Sequence, residues 1–101
     1  PLSGGQGDDE YREVFQKVLV PAADIFRPEF VVISAGFDAH RDDPLASMDL
    51  TEEGYRELTR VVASIAKNFS GGRILACLEG GYYLQALAGS VEQHLQALLD
   101  N

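Results

Sequence analysis

The chain has 101 residues, a formal charge of −8 and 46% hydrophobic residues, which bounds it to one small domain of ordinary globular composition. Three function classes are disfavoured: no run approaches the roughly 20 apolar residues of a membrane span, Pro1 to Gly7 lack the basic start and apolar core of a signal peptide, and the acidity repels nucleic-acid phosphates while suiting a cationic partner. A single cysteine, Cys77, excludes an internal disulfide and any multi-thiolate metal site; it fits a reducing, cytoplasmic setting, and the lack of an initiator Met suggests a chain cut from something longer.

Residues 1–7 read as a loop. From Asp8 an amphipathic helix follows, with Tyr11, Val14, Phe15, Val18, Leu19, Ala22 and Phe26 at helical spacing. Asp8, Asp9 and Glu10 suit its positive N-terminal end. Pro21 is expected to kink it and Pro28 to close the region. Phe30 to Ala35 is a continuous apolar run that predicts a strand buried on both faces, as in a parallel sheet. Gly36 to Asp49 is a loop rich in Gly, Asp and Pro. Thr51 is the expected N-cap of a helix that buries Tyr55, Leu58, Val62, Ile65, Ala66 and Phe69 and ends at Gly71-Gly72. Arg73 to Leu78 predicts a second buried strand, closed by the tight turn Glu79-Gly80-Gly81-Tyr82. A last helix over about Leu84 to Leu99 carries Leu84, Leu87, Ala88, Val91, Leu95 and Leu98 on one face.

The order helix, strand, helix, strand, helix gives an α/β fold with a βαβ core and a right-handed crossover. In open α/β sheets, functional groups gather beyond the carboxyl ends of the strands. The polar segments 34–45 and 79–83 both lie there, which nominates Asp38, His40, Asp42, Asp43, Glu79, Tyr82 and Tyr83 for one rim. Two parallel strands also leave open edges, so further strands are expected from upstream sequence, a partner or a second copy of the chain.

By residue type alone, Asp38 reads either as a strand-end turn former or as a carboxylate ligand, and Tyr82 as a ring packed on the next helix or a hydroxyl donor. Asp38-Ala39-His40 imitates an Asp-x-His metal pair, but His40 is read as a loop residue and not a ligand. His94 is assigned to the surface of the last helix and Cys77 to an inert buried position. Glu79, Asp42 and Asp43 are read as shaping their loops. A nucleotide-binding module is disfavoured, because the chain has no Gly-x-Gly-x-x-Gly after a strand and no P-loop lysine.

The segments Ile33-Ser34-Ala35-Gly36-Phe37-Asp38-Ala39-His40-Arg41-Asp42-Asp43-Pro44-Leu45, Leu50-Thr51-Glu52-Glu53-Gly54-Tyr55 and Leu78-Glu79-Gly80-Gly81-Tyr82, in this order and spacing, resemble the histone deacetylase family. That family includes acetoin-utilisation proteins and acetylpolyamine amidohydrolases, and the wording is nearest to the bacterial and class II branches. The resemblance covers essentially the whole chain. It implies the C-terminal part of a catalytic domain with an arginase-like, three-layer fold around a mostly parallel sheet.

It further implies zinc held by two aspartates and a histidine, with Asp38 as the downstream aspartate ligand. Tyr82 takes the place of the catalytic tyrosine, and Leu45, Gly80 and Gly81 line the substrate channel. The Asp-x-His ligand pair and the tandem histidines belong upstream of this chain. The implied activity is hydrolysis of the acetyl amide of acetyl-lysine or acetylpolyamine. With those groups absent, the 101 residues alone are expected neither to hold zinc tightly nor to turn over. The alternative is a non-catalytic α/β module that self-associates through its sheet edges.

Overall fold

The computed structural model describes residues 3–43 and 48–100. Helix α1 (Asp8–Val14) runs through a π-helical turn (Phe15–Leu19) into α2 (Val20–Phe26). The expected kink at Pro21 therefore takes the form of a widened turn. Proline offers no N–H and its ring crowds the carbonyl four residues back, and a π turn just ahead relieves both. Arg27, in the left-handed region at φ 57°, ends α2.

Strand β1 (Val31–Ala35) follows, then α3 (Glu52–Phe69), β2 (Ile74–Leu78) and α4 (Leu84–Leu99). The two strands are parallel, in register from Val31 opposite Ile74 to Ala35 opposite Leu78. Helix α3 begins at the expected cap: Thr51 Oγ1 accepts from the Gly54 N–H at 3.0 Å. Asp8 adds a second level, since its carboxylate accepts from both the Thr51 N–H and the Thr51 hydroxyl. Gly54 makes room for that carboxylate, as a Cβ there would lie 2.0 Å from Asp8 Oδ1. Gly71 and Gly72 take φ of +60° and +79° and turn the chain out of α3.

The core is centred on Ala35, Phe37, Leu50, Tyr55 and Leu58, with Tyr11, Phe15, Ile33, Leu87 and Val91 packed around it. The Phe37 and Tyr55 rings lie 5.0 Å apart. This core sits directly under the loop that carries Asp38.

Four expectations about burial need correction. The strands are not covered on both faces: Ile33 and Ala35 pack inward, while Val32 is 65% and Leu75 51% exposed. Cys77 lies on that open face and is exposed rather than buried. A continuous apolar run marks a strand that can be covered twice, but not whether the second layer is present.

In α4 the buried residues are Ala86, Ser90, His94 and Ala97, while Leu84 and Leu95 are exposed. Close packing of α4 on α3 selects small side chains, so the leucine stripe is split: Leu87 and Val91 pack against the core while Leu84 and Leu95 face outward. His94 is consequently buried, not on the surface. Its Nδ1 lies 2.8 Å from Thr59 Oγ1, and its ring meets Phe37 edge-on at 5.7 Å.

Two outcomes follow. Thr51→Ala should lower stability by about 1–2 kcal/mol in urea unfolding, while Thr51→Ser should hold most of it. Burial holds the His94 pKa below its ordinary 6.5. As pH falls below that value, the unfolded chain takes up a proton that the folded chain refuses, so stability is full above pH 6.5 and declines below it. The fall in the urea midpoint between pH 7 and pH 5.5 should be smaller in His94→Gln.

Candidate functional site

The strand pairing does not stop where the strands end. The Glu79 N–H donates to Ala35 O at 2.9 Å and the Phe37 N–H to Gly80 O at 2.8 Å. These two bonds carry the segments Gly36–Asp38 and Glu79–Tyr82 side by side beyond the carboxyl edge of the sheet. Asp38 is half-buried there and Tyr82 is 57% exposed.

Glycine backbone separates the two functional groups. A Cβ on Gly80 would lie 3.4 Å from Asp38 Oδ2 and 3.6 Å from the Tyr82 hydroxyl, so the carboxylate and the phenol flank the same bare position. Gly36 borders the other carboxylate oxygen, with its Cβ position 3.6 Å from Asp38 Oδ1. At Gly81, φ is +140° and a Cβ would meet Leu87 Cδ1 at 2.7 Å, which makes glycine the residue the turn requires.

The loop that follows Asp38 is pinned from several directions. Ala39 O accepts from the Leu50 N–H, and the Arg41 N–H donates to Leu50 O, both at 2.9 Å. His40 is 1% exposed and points inward. Its Nδ1 accepts from the Asp42 N–H at 3.0 Å, which leaves the proton of a neutral ring on Nε2. Nε2 lies 3.1 Å from Glu52 Oε2, off the line of a good hydrogen bond. The Glu52 carboxyl is held below its ordinary pKa by its own backbone N–H at the start of α3 and by His40. His40 is thus a loop residue, as expected, but its burial against α3 went unforeseen.

Asp43 is 4% exposed, and its Oδ2 accepts the Tyr82 N–H at 2.8 Å. Tyr11 and Tyr55 were expected only as core residues. Burial is the main cause that raises both phenol pKa values, and the Asp38 charge adds to it in each. Both rings therefore sense Asp38 from α1 and α3. Nothing in a helical stripe distinguishes such a tyrosine from one that merely fills the core.

Of the other expected rim residues, Asp42 and Glu79 are exposed. The Tyr83 hydroxyl donates to Gln85 Oε1 of α4 at 3.2 Å. Leu45 lies outside the described residues. No group of three His, Cys, Asp or Glu side chains that could hold a metal ion occurs among the described residues. Asp38 offers one carboxylate, whereas a catalytic zinc needs three protein ligands. The described residues do not by themselves make that site.

Residues 1–98 match the family model described as the histone deacetylase domain. Among curated proteins, the chain is 44% identical over 99 residues to "Histone deacetylase 14, chloroplastic" of Arabidopsis thaliana, covering 98% of this chain and 23% of that protein. It is 42% identical over 82 residues to "Histone deacetylase-like amidohydrolase" of Pseudomonas aeruginosa, covering 81% and 22%. It is 45% identical over 95 residues to "Polyamine deacetylase HDAC10" of Mus musculus, covering 94% and 14%.

Among solved structures, the HDA15 HD domain superposes with a TM-score of 0.89 at 43% identity, over 97% of this chain and 27% of that one. The histone deacetylase Clr3 gives 0.88 at 34% identity, over 97% and 16%. The chain thus spans less than a quarter of the length of these curated relatives. No helix of the described residues is long and apolar enough to cross a membrane. A family match along nearly the whole chain, and a backbone that superposes on the histone deacetylase Clr3 over 97% of it, establish that this chain belongs to the histone deacetylase family.

Proposed function

We propose that the chain is the C-terminal part of a histone deacetylase catalytic domain, and that it brings Asp38 and Tyr82 to the hydrolysis of an acetyl amide on lysine or a polyamine. The observation that carries this reading is the convergence of the Asp38 carboxylate and the Tyr82 hydroxyl on Gly80. Asp38 would be the ligand this chain brings to the zinc on which the family generally depends, a Lewis acid when bound; its other ligands would lie outside these residues.

The remaining roles follow from the chain's own groups. The Tyr82 hydroxyl donates a hydrogen bond to the acyl oxygen as negative charge develops there. Gly80 and Gly81 keep the wall beside it free of side chains, and with Leu45 they would line the passage for the apolar stem of the substrate. The net charge of −8 favours approach of a cationic lysine-rich peptide or polyamine. The names of the relatives include both histone and polyamine deacetylases, so the substrate class is an acylated amine of either kind. A cytoplasmic setting rests on the lone cysteine.

A second reading, a non-catalytic module that self-associates, is favoured by the open sheet face with Val32 and Leu75. Sedimentation separates the two: a folded monomer at all concentrations removes self-association through that face.

Calorimetry should show no tight zinc binding by the isolated 101 residues, and an acetyl-lysine peptide should not be hydrolysed by them. Robust turnover by the isolated chain would refute the division of the site. In the catalytically complete protein that carries this sequence, Tyr82→Phe should lower kcat on the order of 10²–10³-fold with zinc content unchanged. Asp38→Ala should lose the metal as well.

A further inference from the structure

Tyr82 reaches the rim on a segment held at three points. Gly80 O accepts the Phe37 N–H, Gly81 is packed tightly against Leu87, and the Tyr82 N–H donates to Asp43 Oδ2 at 2.8 Å. The third point differs from the others. Its acceptor is a side-chain carboxylate, on a residue only 4% exposed.

Turn shaping alone does not account for that burial. The Asp43 N–H already donates to His40 O at 3.0 Å, which closes the local turn through the backbone. Desolvating a carboxylate is unfavourable unless donors meet it, and one donor supplied here is the main chain of Tyr82. The tyrosine ring is itself more than half exposed, so packing around the ring does not fix its place.

We propose that Asp43 is a positioning residue, whose carboxylate holds the Tyr82 backbone so that the phenol hydroxyl stays beside Asp38 across Gly80. This rests on the reading above in which Tyr82 acts on the acyl oxygen. Asp43 itself touches neither metal nor substrate in this account. His40 supports it indirectly: its own inward anchoring fixes the carbonyl from which the Asp43 turn hangs.

The test uses Asp43→Ala, Asp43→Asn, Tyr82→Phe and the double variant Asp43→Ala/Tyr82→Phe in the catalytically complete protein. Displacing a catalytic group by about 1 Å costs on the order of 10²-fold in rate. Asp43→Ala should therefore lower kcat by that order with KM and zinc content unchanged. Asp43→Asn keeps an acceptor oxygen and should recover most of the rate. In the Tyr82→Phe background, Asp43→Ala should cause no further loss, because the group it positions is gone.

Losses that multiply in the double variant, or wild-type kcat in Asp43→Ala, would overturn the inference. If Asp43→Ala does not fold, Asp43→Ser, whose hydroxyl is too short to reach, takes its place. Full turnover in Tyr82→Phe would instead remove the functional reading. The contact is then read without chemistry by hydrogen exchange at the Tyr82 amide, which should quicken on the order of tenfold in Asp43→Ala and stay slow in Asp43→Asn. Equal exchange in all three proteins would show that Asp43 does not hold this backbone.

Discussion

Two hydrogen bonds beyond the ends of the strands hold this site together. Parallel pairing sends both carboxyl ends in one direction, and the Glu79–Ala35 and Phe37–Gly80 bonds continue the ladder into the loops. Register is the critical quantity. Side chains alternate with a period of two, so a slip of one residue would turn Ala35 outward and exchange the packed and open faces of a strand. It would also move Gly80 away from Phe37 and part Asp38 from Tyr82. Ala35, Phe37 and Tyr55 in the core therefore act on the site through register as well as through the stability they contribute.

The loop after β1 depends on a second tier of contacts. Asp8 is an acid in the first turn of α1, yet its carboxylate is spent on Thr51, the cap of α3. Glu52 is an acid in the first turn of α3, and it also stands beside His40. The Asp49 N–H donates to Gln6 O at 2.8 Å, which ties the N-terminal loop to the same region. Each of these groups has a local role that sequence periodicity identifies and a distant partner that it does not. The loop bearing Asp38 is thereby fixed to the segment before α1, to the start of α3 and to the segment after β2 by polar contacts, above an apolar core.

Much of this was legible beforehand, and for physical reasons. Spacing placed every helix and both strands, the Thr51 cap has the side-chain oxygen that an orphan N–H requires, and parallel strands had to bring Asp38 and Tyr82 to one rim. What stayed hidden depends on neighbours. The apolar run at Val31–Ala35 is compatible with one covered face or two, so the exposure of Cys77 could not be read. Helix α4 carries both a leucine stripe and a small-residue stripe, and the closeness of α3 set the small one against it and split the other, burying His94. The buried carboxylate of Asp43 looks in sequence like any loop aspartate, because its partner lies beyond the next helix and strand.

The incompleteness of the sheet and that of the site have one origin in the proposed reading. Two strands with an apolar face on each side call for cover on both, yet Val32 and Leu75 on one face stay open and Leu95 of α4 beside β2 is exposed. These are large side chains on regular elements, unlike the scattered apolar residues normal for a surface. A single carboxylate at the strand end likewise calls for further ligands before it can hold a metal. These curated relatives are roughly four times as long, and a sheet continued by further parallel strands would bring more carboxyl ends to the same rim, while the helices connecting those strands would cover the open apolar face. Completing the hydrophobic layer and completing the ligand set would then be the same structural event, with Asp38 and Tyr82 already held in place to receive it.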